Sequence, residues 1–203
     1  MGLREVKAAR TREQIIDVAL DLFIDQGYDE TTMEQIAERA EIGSTTLYRY
    51  FPSKDLLLLD RFARTMDLAA MLRRRPADEP LNVALGAAVR ESVTGFDDKD
   101  GRTTALRHIV DNAPVPRARL LDLGAQVQSD LERAIAERMH PRAGDLLVTM
   151  TARITFAVFE IAAEKWWAGD HRASSTAVVD KILRTLDTLE LVVPAPASRR
   201  RMR

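Results

Sequence analysis

The segment between Ile42 and Lys54 is rich in side chains that can bind phosphates and base edges, and it contains no acidic residue. In the whole chain, by contrast, 30% of residues are charged. Hydroxyl, guanidinium and ammonium groups donate hydrogen bonds to the phosphate oxygens and base edges of DNA. This chemistry predicts DNA contacts by the polar side chains of the segment, which are Ser44, Thr45, Thr46, Tyr48, Arg49, Tyr50 and Lys54.

The residues around this segment predict two short helices that cross at a tight turn. Thr32 and Gln35 have the spacing of a capping box at the start of the first helix, and Thr32 is also a predicted DNA-binding residue. Glu41 begins the turn, Ser44 begins the second helix, and Pro52 stops it. Such a helix-turn-helix unit lays its second helix in the major groove of DNA. The alternative is an ordinary helical hairpin in an all-α protein.

The sequence IAERAEIGSTTLYRYFPSKDLL, which starts at Ile36, resembles the DNA-binding segment of TetR-type transcriptional repressors (the TetR/AcrR family). The pattern of that family is IA-x-x-AGVS-x-GTLY-x-YF-x-SK-x-x-L. Three positions depart from it, because Glu41 and Thr45 stand where the family has Gly, and Gly43 where it has Ser. Glu41 is then expected to adopt the turn conformation at a modest cost, with Ser44 supplying the missing cap. The matching positions are Ile36, Ala37, Ala40, Ile42, Thr46, Leu47, Tyr48, Tyr50, Phe51, Ser53, Lys54 and Leu57.

Apolar residues repeat at helical spacing through the rest of the chain and no strand pattern is present, so the predicted fold class is all-α with about nine helices. We expect an N-terminal helix-turn-helix DNA-binding domain at residues 1–55 and a helical ligand-binding and dimerisation domain at 56–193. A basic disordered tail is expected at 194–203, and a mobile basic arm at 1–10. One long helix, about 53–74, is expected to connect the two domains.

The composition argues against an enzyme and against a metal site. The chain has no cysteine and three scattered histidines, so neither a disulfide nor a zinc site is expected. It has no glycine-rich phosphate loop and no nucleophile elbow, and no cofactor is expected. A helical enzyme whose catalytic groups lie far apart in sequence stays an open alternative. The first residues lack the apolar core of a secretory signal, which predicts a cytoplasmic protein.

The charge balance of residues 1–60 counts against DNA binding, because twelve Asp/Glu oppose seven Lys/Arg. The charges are unevenly distributed, however. Asp17, Asp21 and Asp25 repeat every four residues and share one face of the first helix, which we expect to be solvated. A charge-segregated domain could direct that acidic face away from DNA phosphates.

The most apolar stretch, about 143–168, approaches the length of a membrane span. Four charged residues interrupt it, so no membrane association is expected; they are Arg153, Glu160, Glu164 and Lys165. A helix that is apolar on nearly all sides needs partners on two faces. One partner could be a second subunit, because the next predicted helix, about 174–192, also has an apolar seam.

Large apolar and aromatic side chains between residues 66 and 167 can either surround an apolar ligand or fill a core. The resemblance implies an inducer pocket in this helical domain, and a Trp-rich helix end resembles regulators that sense fatty acyl-CoA-like ligands. Arg153 and Glu160 could orient a ligand, or could instead form a buried ion pair. The predicted ligand-binding residues are Met66, Phe96, His108, Met150, Arg153, Phe156, Phe159, Glu160, Trp166 and Trp167.

The residues and the resemblance together predict a ligand-responsive, DNA-binding transcriptional regulator. As the family implies, it would be a homodimeric repressor that pairs through its eighth and ninth predicted helices. It would leave a palindromic double-stranded DNA operator when a small apolar or amphipathic effector, acyl-CoA-like or otherwise hydrophobic, binds. The alternative is a DNA-independent helical protein that binds small molecules or acts as an interaction module.

Overall fold

The computed structural model describes residues 2–97, 101–139, 144–169 and 173–188, and within them every regular element is helical. The all-α prediction is confirmed. The predicted tail at 194–203 lies outside the described residues. The elements are α1 (Leu3–Asp25), α2 (Met33–Arg39), α3 (Ser44–Tyr50), α4 (Lys54–Thr65), α5 (Leu68–Arg74), α6 (Leu81–Val93), a 3-10 turn (Thr94–Phe96), α7 (Arg102–Asn112), α8 (Pro114–Arg138), α9 (Asp145–Trp167) and α10 (Ser175–Asp187).

The first three helices pack around side chains that are almost completely inaccessible. Phe23 of α1, Ile36 of α2 and Leu47 of α3 form the centre of this small core. The prediction of a mobile arm over residues 1–10 was wrong, because α1 already begins at Leu3. The segment that follows Gly2 contains good helix formers and no helix breaker, so nothing stops the helix before the core begins.

The predicted connecting helix is two helices in the structure. Met66 ends α4, and the Asp67 carboxylate accepts a hydrogen bond from the Ala70 amide at 2.9 Å, which caps the start of α5. Asp is among the preferred residues for this cap position. The break turns the chain, so α5 packs against α6 and α8. It also accounts for the tenth α-helix where about nine were predicted.

The remaining helices form one layered body. α8 packs against α4, α5, α7 and α9, and α6 packs against α5, α9 and α10. α7 also contacts α1, where Arg102 Nη2 lies 3.1 Å from Asp21 Oδ1 and donates a hydrogen bond to the Asp17 carbonyl at 3.2 Å. The acidic face of α1, which was expected only to be solvated, therefore also anchors α7.

Helix α9 has an exposed apolar side. Its length and composition would allow it to cross a membrane, and 33% of its most apolar stretch is buried within the chain. A buried or interface helix of a soluble protein meets the same criterion. Its uncovered apolar side chains are Leu146, Leu147, Met150, Ile154 and Ile161. The single chain therefore covers only one side of a helix whose sequence requires cover on two.

The Asp60 carboxylate of α4 is buried, with the residue 7% exposed, and it contacts guanidinium groups from two helices. Arg12 Nη2 of α1 donates a hydrogen bond to Asp60 Oδ1 at 2.5 Å, and Arg64 Nη2 lies 2.6 Å from Asp60 Oδ2. The Arg12 guanidinium also lies over the Phe51 ring, 4.2 Å from its centroid, just after α3 ends. One carboxylate thus connects α1, α4 and the end of α3.

Substitution of Asp60 by Asn should destabilise the protein, because two guanidinium groups lose their shared counter-charge. We expect the free energy of unfolding to fall by about 1–3 kcal/mol, the range for loss of a hydrogen bond to a charged group. Urea unfolding at matched protein concentration measures this change. The control is Asp78→Asn in an exposed loop, which should stay within about 0.5 kcal/mol of wild type. Equal stability of the two variants would contradict the role given to Asp60.

Candidate functional site

The turn between α2 and α3 has the geometry that the sequence predicted. The Gln35 amide donates to Thr32 Oγ1 at 3.2 Å and the Thr32 amide donates to Gln35 Oε1 at 2.8 Å, which completes the predicted capping box. Glu41 has a φ of 55°, in the left-handed region where a side chain is disfavoured. Ser44, however, does not replace the missing cap, because Gly43 is the capping residue and no side chain bonds there.

Helix α3 presents its polar side chains to solvent because Leu47 anchors the opposite side in the core. The exposed residues of α3 are Ser44, Thr45, Tyr48 and Arg49, and its half-buried ones are Thr46 and Tyr50. Lys54, at the start of α4, is also half-buried. Within the described part of the chain, the Ser44 hydroxyl makes no hydrogen bond, so it is available to a ligand. The predicted surface therefore lies mostly on one short helix, with Thr32 just before α2 and Lys54 at the start of α4.

Two of these aromatic side chains make contacts that hold them in place. The Tyr48 hydroxyl donates to Glu34 Oε1 of α2 at 3.2 Å, and the Arg49 guanidinium lies 5.7 Å from the centroid of the Tyr50 ring. Tyr48 therefore reaches across the turn, and Arg49 is restrained by a neighbouring ring face. Glu34 was not recognised from the sequence, although its position on the adjacent short helix would have permitted the contact.

Lys54 contacts the protein's own backbone in this structure, while the phosphate contact predicted for it stays a prediction. Its ammonium donates to the carbonyl oxygens of Tyr28 (2.8 Å), Asp29 (3.2 Å) and Thr31 (3.1 Å), and it lies 4.4 Å from the centroid of the Tyr28 ring. An ammonium has three donors, so these carbonyls use all of them. The Tyr28 hydroxyl donates to Asp55, and burial together with this carboxylate raises the pKa of Tyr28. Lys54 thus fixes the loop that leads into α2.

Substitution of Lys54 by Met tests this role, since Met keeps much of the apolar stem and removes the ammonium. Three carbonyls lose their donor, so we expect a loss of about 1–3 kcal/mol in unfolding free energy. Thermal unfolding measures this loss of stability, and Lys7→Met, at an exposed position of α1, is the control. An unchanged melting temperature together with a large loss of DNA affinity would identify Lys54 as a phosphate contact instead.

A cavity of about 820 Å³ lies where the last turn of α4, the 3-10 turn, α7, α8 and α9 meet. Its volume is within the usual range for small-molecule sites. One wall is aromatic: Phe96 lies 5.9 Å from Phe159 and 5.7 Å from Trp167, and Phe156 lies 5.9 Å from Phe159, between ring centroids. The cavity is therefore a defined space beside packed rings.

The structure brings most of the predicted ligand-binding residues to this cavity. Those that line it are Met66, Phe96, Arg153, Phe156, Phe159, Glu160 and Trp167. Three predicted residues lie elsewhere, because each is rotated on its helix away from the cavity. His108 is exposed, Met150 is on the uncovered side of α9, and Trp166 is buried next to Trp167 without lining the space.

Helix α8 forms a large part of the wall, and this contribution was not predicted from the sequence. Small and polar residues repeat along one side of this helix, and that stripe was the available signal. An added Cβ at Gly124 would lie 3.6 Å from Phe156 Cζ, an ordinary contact distance, so this position of α8 directly faces the ring. The further lining residues are Phe62, Thr65, Arg107, Asp111, Leu120, Leu121, Gly124, Ala125, Gln128, Ser129, Glu132, Ala163, Glu164 and Ala168.

The charged groups of the cavity are only partly paired. Arg107 Nε lies 2.9 Å from Asp111 Oδ2, and Arg153 Nε lies 3.8 Å from Glu132 Oε1. The ion pair between Arg153 and Glu160 considered from the sequence is therefore replaced by a looser pair across to α8. Burial raises the pKa of Glu160, because removal of water disfavours its charged form.

Comparison with known proteins identifies the family. Residues 15–60 match the model of bacterial regulatory proteins of the tetR family. HTH-type transcriptional regulator TcmR of Streptomyces glaucescens is 35% identical over 177 residues, which cover 82% of this chain and 77% of that protein. HTH-type transcriptional repressor KstR of Rhodococcus jostii is 26% identical over 184 residues, covering 88% and 82%.

The fold comparison agrees. The crystal structure of the transcriptional repressor FadR of Thermus thermophilus, in complex with lauroyl-CoA, superposes with a TM-score of 0.56 at 24% identity. The match covers 93% of this chain and 99% of that one. The relatives are named as transcriptional regulators, and the helix-turn-helix unit on a helical body is that of a DNA-binding transcriptional regulator. The similarity to TcmR is extensive enough to assign the chain, which belongs to the tetR family of bacterial regulatory proteins.

Proposed function

We propose that the protein is a repressor that binds a palindromic DNA operator as a homodimer and releases it when a small apolar or amphipathic molecule occupies the cavity. One observation carries the proposal: Phe62, Thr65 and Met66 line the cavity at the end of α4, the helix whose Asp60 holds α1 and the end of α3. An occupant of the cavity would therefore press on the helix that positions the recognition helix.

The proposed DNA contacts are made by the exposed side of α3. Arg49 would provide a guanidinium for a phosphate or a guanine edge, and the hydroxyl groups would provide further donors. Lys54 would support this surface through the Tyr28–Thr31 loop rather than by reaching DNA. The other proposed contacts are Thr32, Ser44, Thr45, Thr46, Tyr48 and Tyr50.

We place DNA binding in residues 1–55, ligand binding and dimerisation in 56–193, and a basic tail in 194–203, in a cytoplasmic protein.

Two features support a shared surface between subunits. The apolar side of α9 is uncovered, with Ile154 52% exposed, and α10 lies against α9 with a half-buried seam at Ile182 and Leu186. A two-fold pair would present two α3 helices to half-sites about 34 Å apart, one helical turn of DNA.

Release of DNA requires that the effector bind the DNA-incompetent arrangement more tightly than the DNA-bound one. Two contacts can transmit such a difference to α1 and α4. Arg102 at the start of α7 bonds to α1, and Arg107 and Asp111 of the same helix line the cavity. In addition, Gly95 approaches the rim so closely that an added Cβ would lie 3.0 Å from Thr65 Oγ1. A shift of α7 would therefore displace α1, and a shift of the 3-10 turn at Gly95 would displace the end of α4.

A gel-shift assay with the DNA upstream of the protein's own gene, at about 0.1 M salt, tests the DNA surface. Wild type should shift this DNA, and Arg49→Ala or Tyr48→Ala should weaken the shift about 10-fold or more, as expected for loss of a base or phosphate contact. Arg117→Ala, at an exposed position of α8, is the matched control and should bind DNA as wild type does. No shift by wild type, or equal binding by Arg49→Ala, would favour the DNA-independent alternative.

The dimer is tested by placing a carboxylate on the uncovered side of α9. Ile154→Glu should give one subunit's mass of 22.8 kDa in light scattering at micromolar concentration and should bind operator poorly, because desolvating an unpaired charge at an interface is costly. Val83→Glu on α6 is a close control, since Val83 is 51% exposed and Ile154 52%. A wild type that is already monomeric would refute the interface.

A further inference from the structure

The cavity wall carries more negative than positive charge. Among the described residues that line the cavity, four carboxylates, those of Asp111, Glu132, Glu160 and Glu164, face two guanidinium groups. Each guanidinium lies against one carboxylate, as Arg107 does with Asp111 and Arg153 with Glu132. Among the described residues, the Glu160 and Glu164 side chains have no ion pair or hydrogen bond. A molecule that enters the cavity therefore meets two carboxylates that no cation of the described segments neutralises.

These carboxylates lie on the aromatic side of the cavity. Phe156, Glu160, Glu164 and Trp167 follow one another at spacings of four, four and three residues along α9, so they share one face of the helix. Phe159 packs between Phe156 and Phe96 beside them. Ring faces and carboxylates attract the same kind of group, which is a cation with a large apolar body.

We propose that the effector is a cationic aromatic or amphiphilic molecule, such as a lipophilic amine or a planar quaternary cation, whose charge is met by Glu160 and Glu164 while its body packs on Phe156, Phe159 and Trp167. The proposal rests on the cavity being the effector site, as proposed above. It adds the sign of the ligand's charge, which the fold comparison does not give. The raised pKa of Glu160 agrees with it, since a partly desolvated carboxylate gains a counter-charge when a cation binds.

The same charges oppose an anionic ligand of the acyl-CoA class. The phosphates of such a molecule bind most strongly to arginine and lysine side chains that are free to form charge-assisted hydrogen bonds. Both guanidinium groups of the cavity are already against carboxylates, and an anion would have to displace Asp111 or Glu132 and still face Glu160. The FadR structure that shares this fold holds lauroyl-CoA, but its 24% identity extends only to the fold.

Two ions of nearly equal size and shape separate charge from bulk. Tetraphenylphosphonium is a cation and tetraphenylborate an anion, and both carry four phenyl rings. The protein has two tryptophans, and one of them, Trp167, lines the cavity, so quenching of tryptophan fluorescence reports binding of either ion. We expect wild type to bind the cation about 10-fold more tightly than the anion. Preference for tetraphenylborate or lauroyl-CoA, or binding of neither ion at millimolar concentration, overturns the proposal.

Variants then locate the charge effect. Glu160→Gln, a near-isosteric change, should weaken binding of the cation about 5- to 10-fold and leave the anion equal or tighter. Glu164→Gln should act in the same direction and serves if Glu160→Gln folds poorly. Phe156→Ala should weaken both ions, because it removes packing and no charge. Glu38→Gln, which removes one charge at an exposed position of α2, should bind both ions as wild type does. A Glu160→Gln protein with unchanged selectivity overturns the proposal.

The gel-shift distinguishes this inference from the function on which it rests. Tetraphenylphosphonium should release operator from wild type at lower concentration than from Glu160→Gln. If lauroyl-CoA or tetraphenylborate releases operator and the cation does not, the repressor function stands and the charge inference fails. If wild type never binds the operator, the repressor function fails even where the fluorescence selectivity is as expected.

Discussion

The buried carboxylate of Asp60 is the contact on which both halves of the molecule depend. It holds the Arg12 guanidinium, which in turn covers the Phe51 ring, so one charge-assisted bond and one ring contact add to the packing of α1 and the end of α3 against α4. A bond of this kind is short and directional. A few residues further along the same helix, Thr65 and Met66 already border the cavity. Any reorientation of α4 therefore acts on the recognition helix and the cavity at once.

The two sites are built in different ways, and this explains how well each was predicted. The proposed DNA-binding surface comes from consecutive residues, so local rules for caps, turns and helix faces were sufficient to predict its backbone geometry. They predicted the bond between Thr32 and Gln35 and the left-handed conformation of Glu41, and the structure has both. They could not predict the role of Lys54, because its carbonyl partners come from a preceding loop whose path depends on tertiary packing.

The cavity depends on long-range packing, and there the sequence was less informative. Helical spacing indicates that an apolar stripe exists, but it does not say whether facing side chains meet or leave a space. Neighbouring residues such as Arg107 and His108 differ by about 100° around a helix, a consequence of 3.6 residues per turn, so only the packing of α7 decides which one lines the wall. The break at Asp67 was missed for a related reason, since the cap matters only once α5 has a partner to pack against.

The uncovered apolar side of α9 has a consequence for the response of the regulated genes to gene dosage. Where a protein reads a palindrome only as a pair, the concentration of the active species rises with the square of the chain concentration as long as most chains are single. Occupancy of the operator then changes more abruptly than the amount of protein made. The strength of one apolar contact between copies would thus set the expression level at which the switch becomes effective.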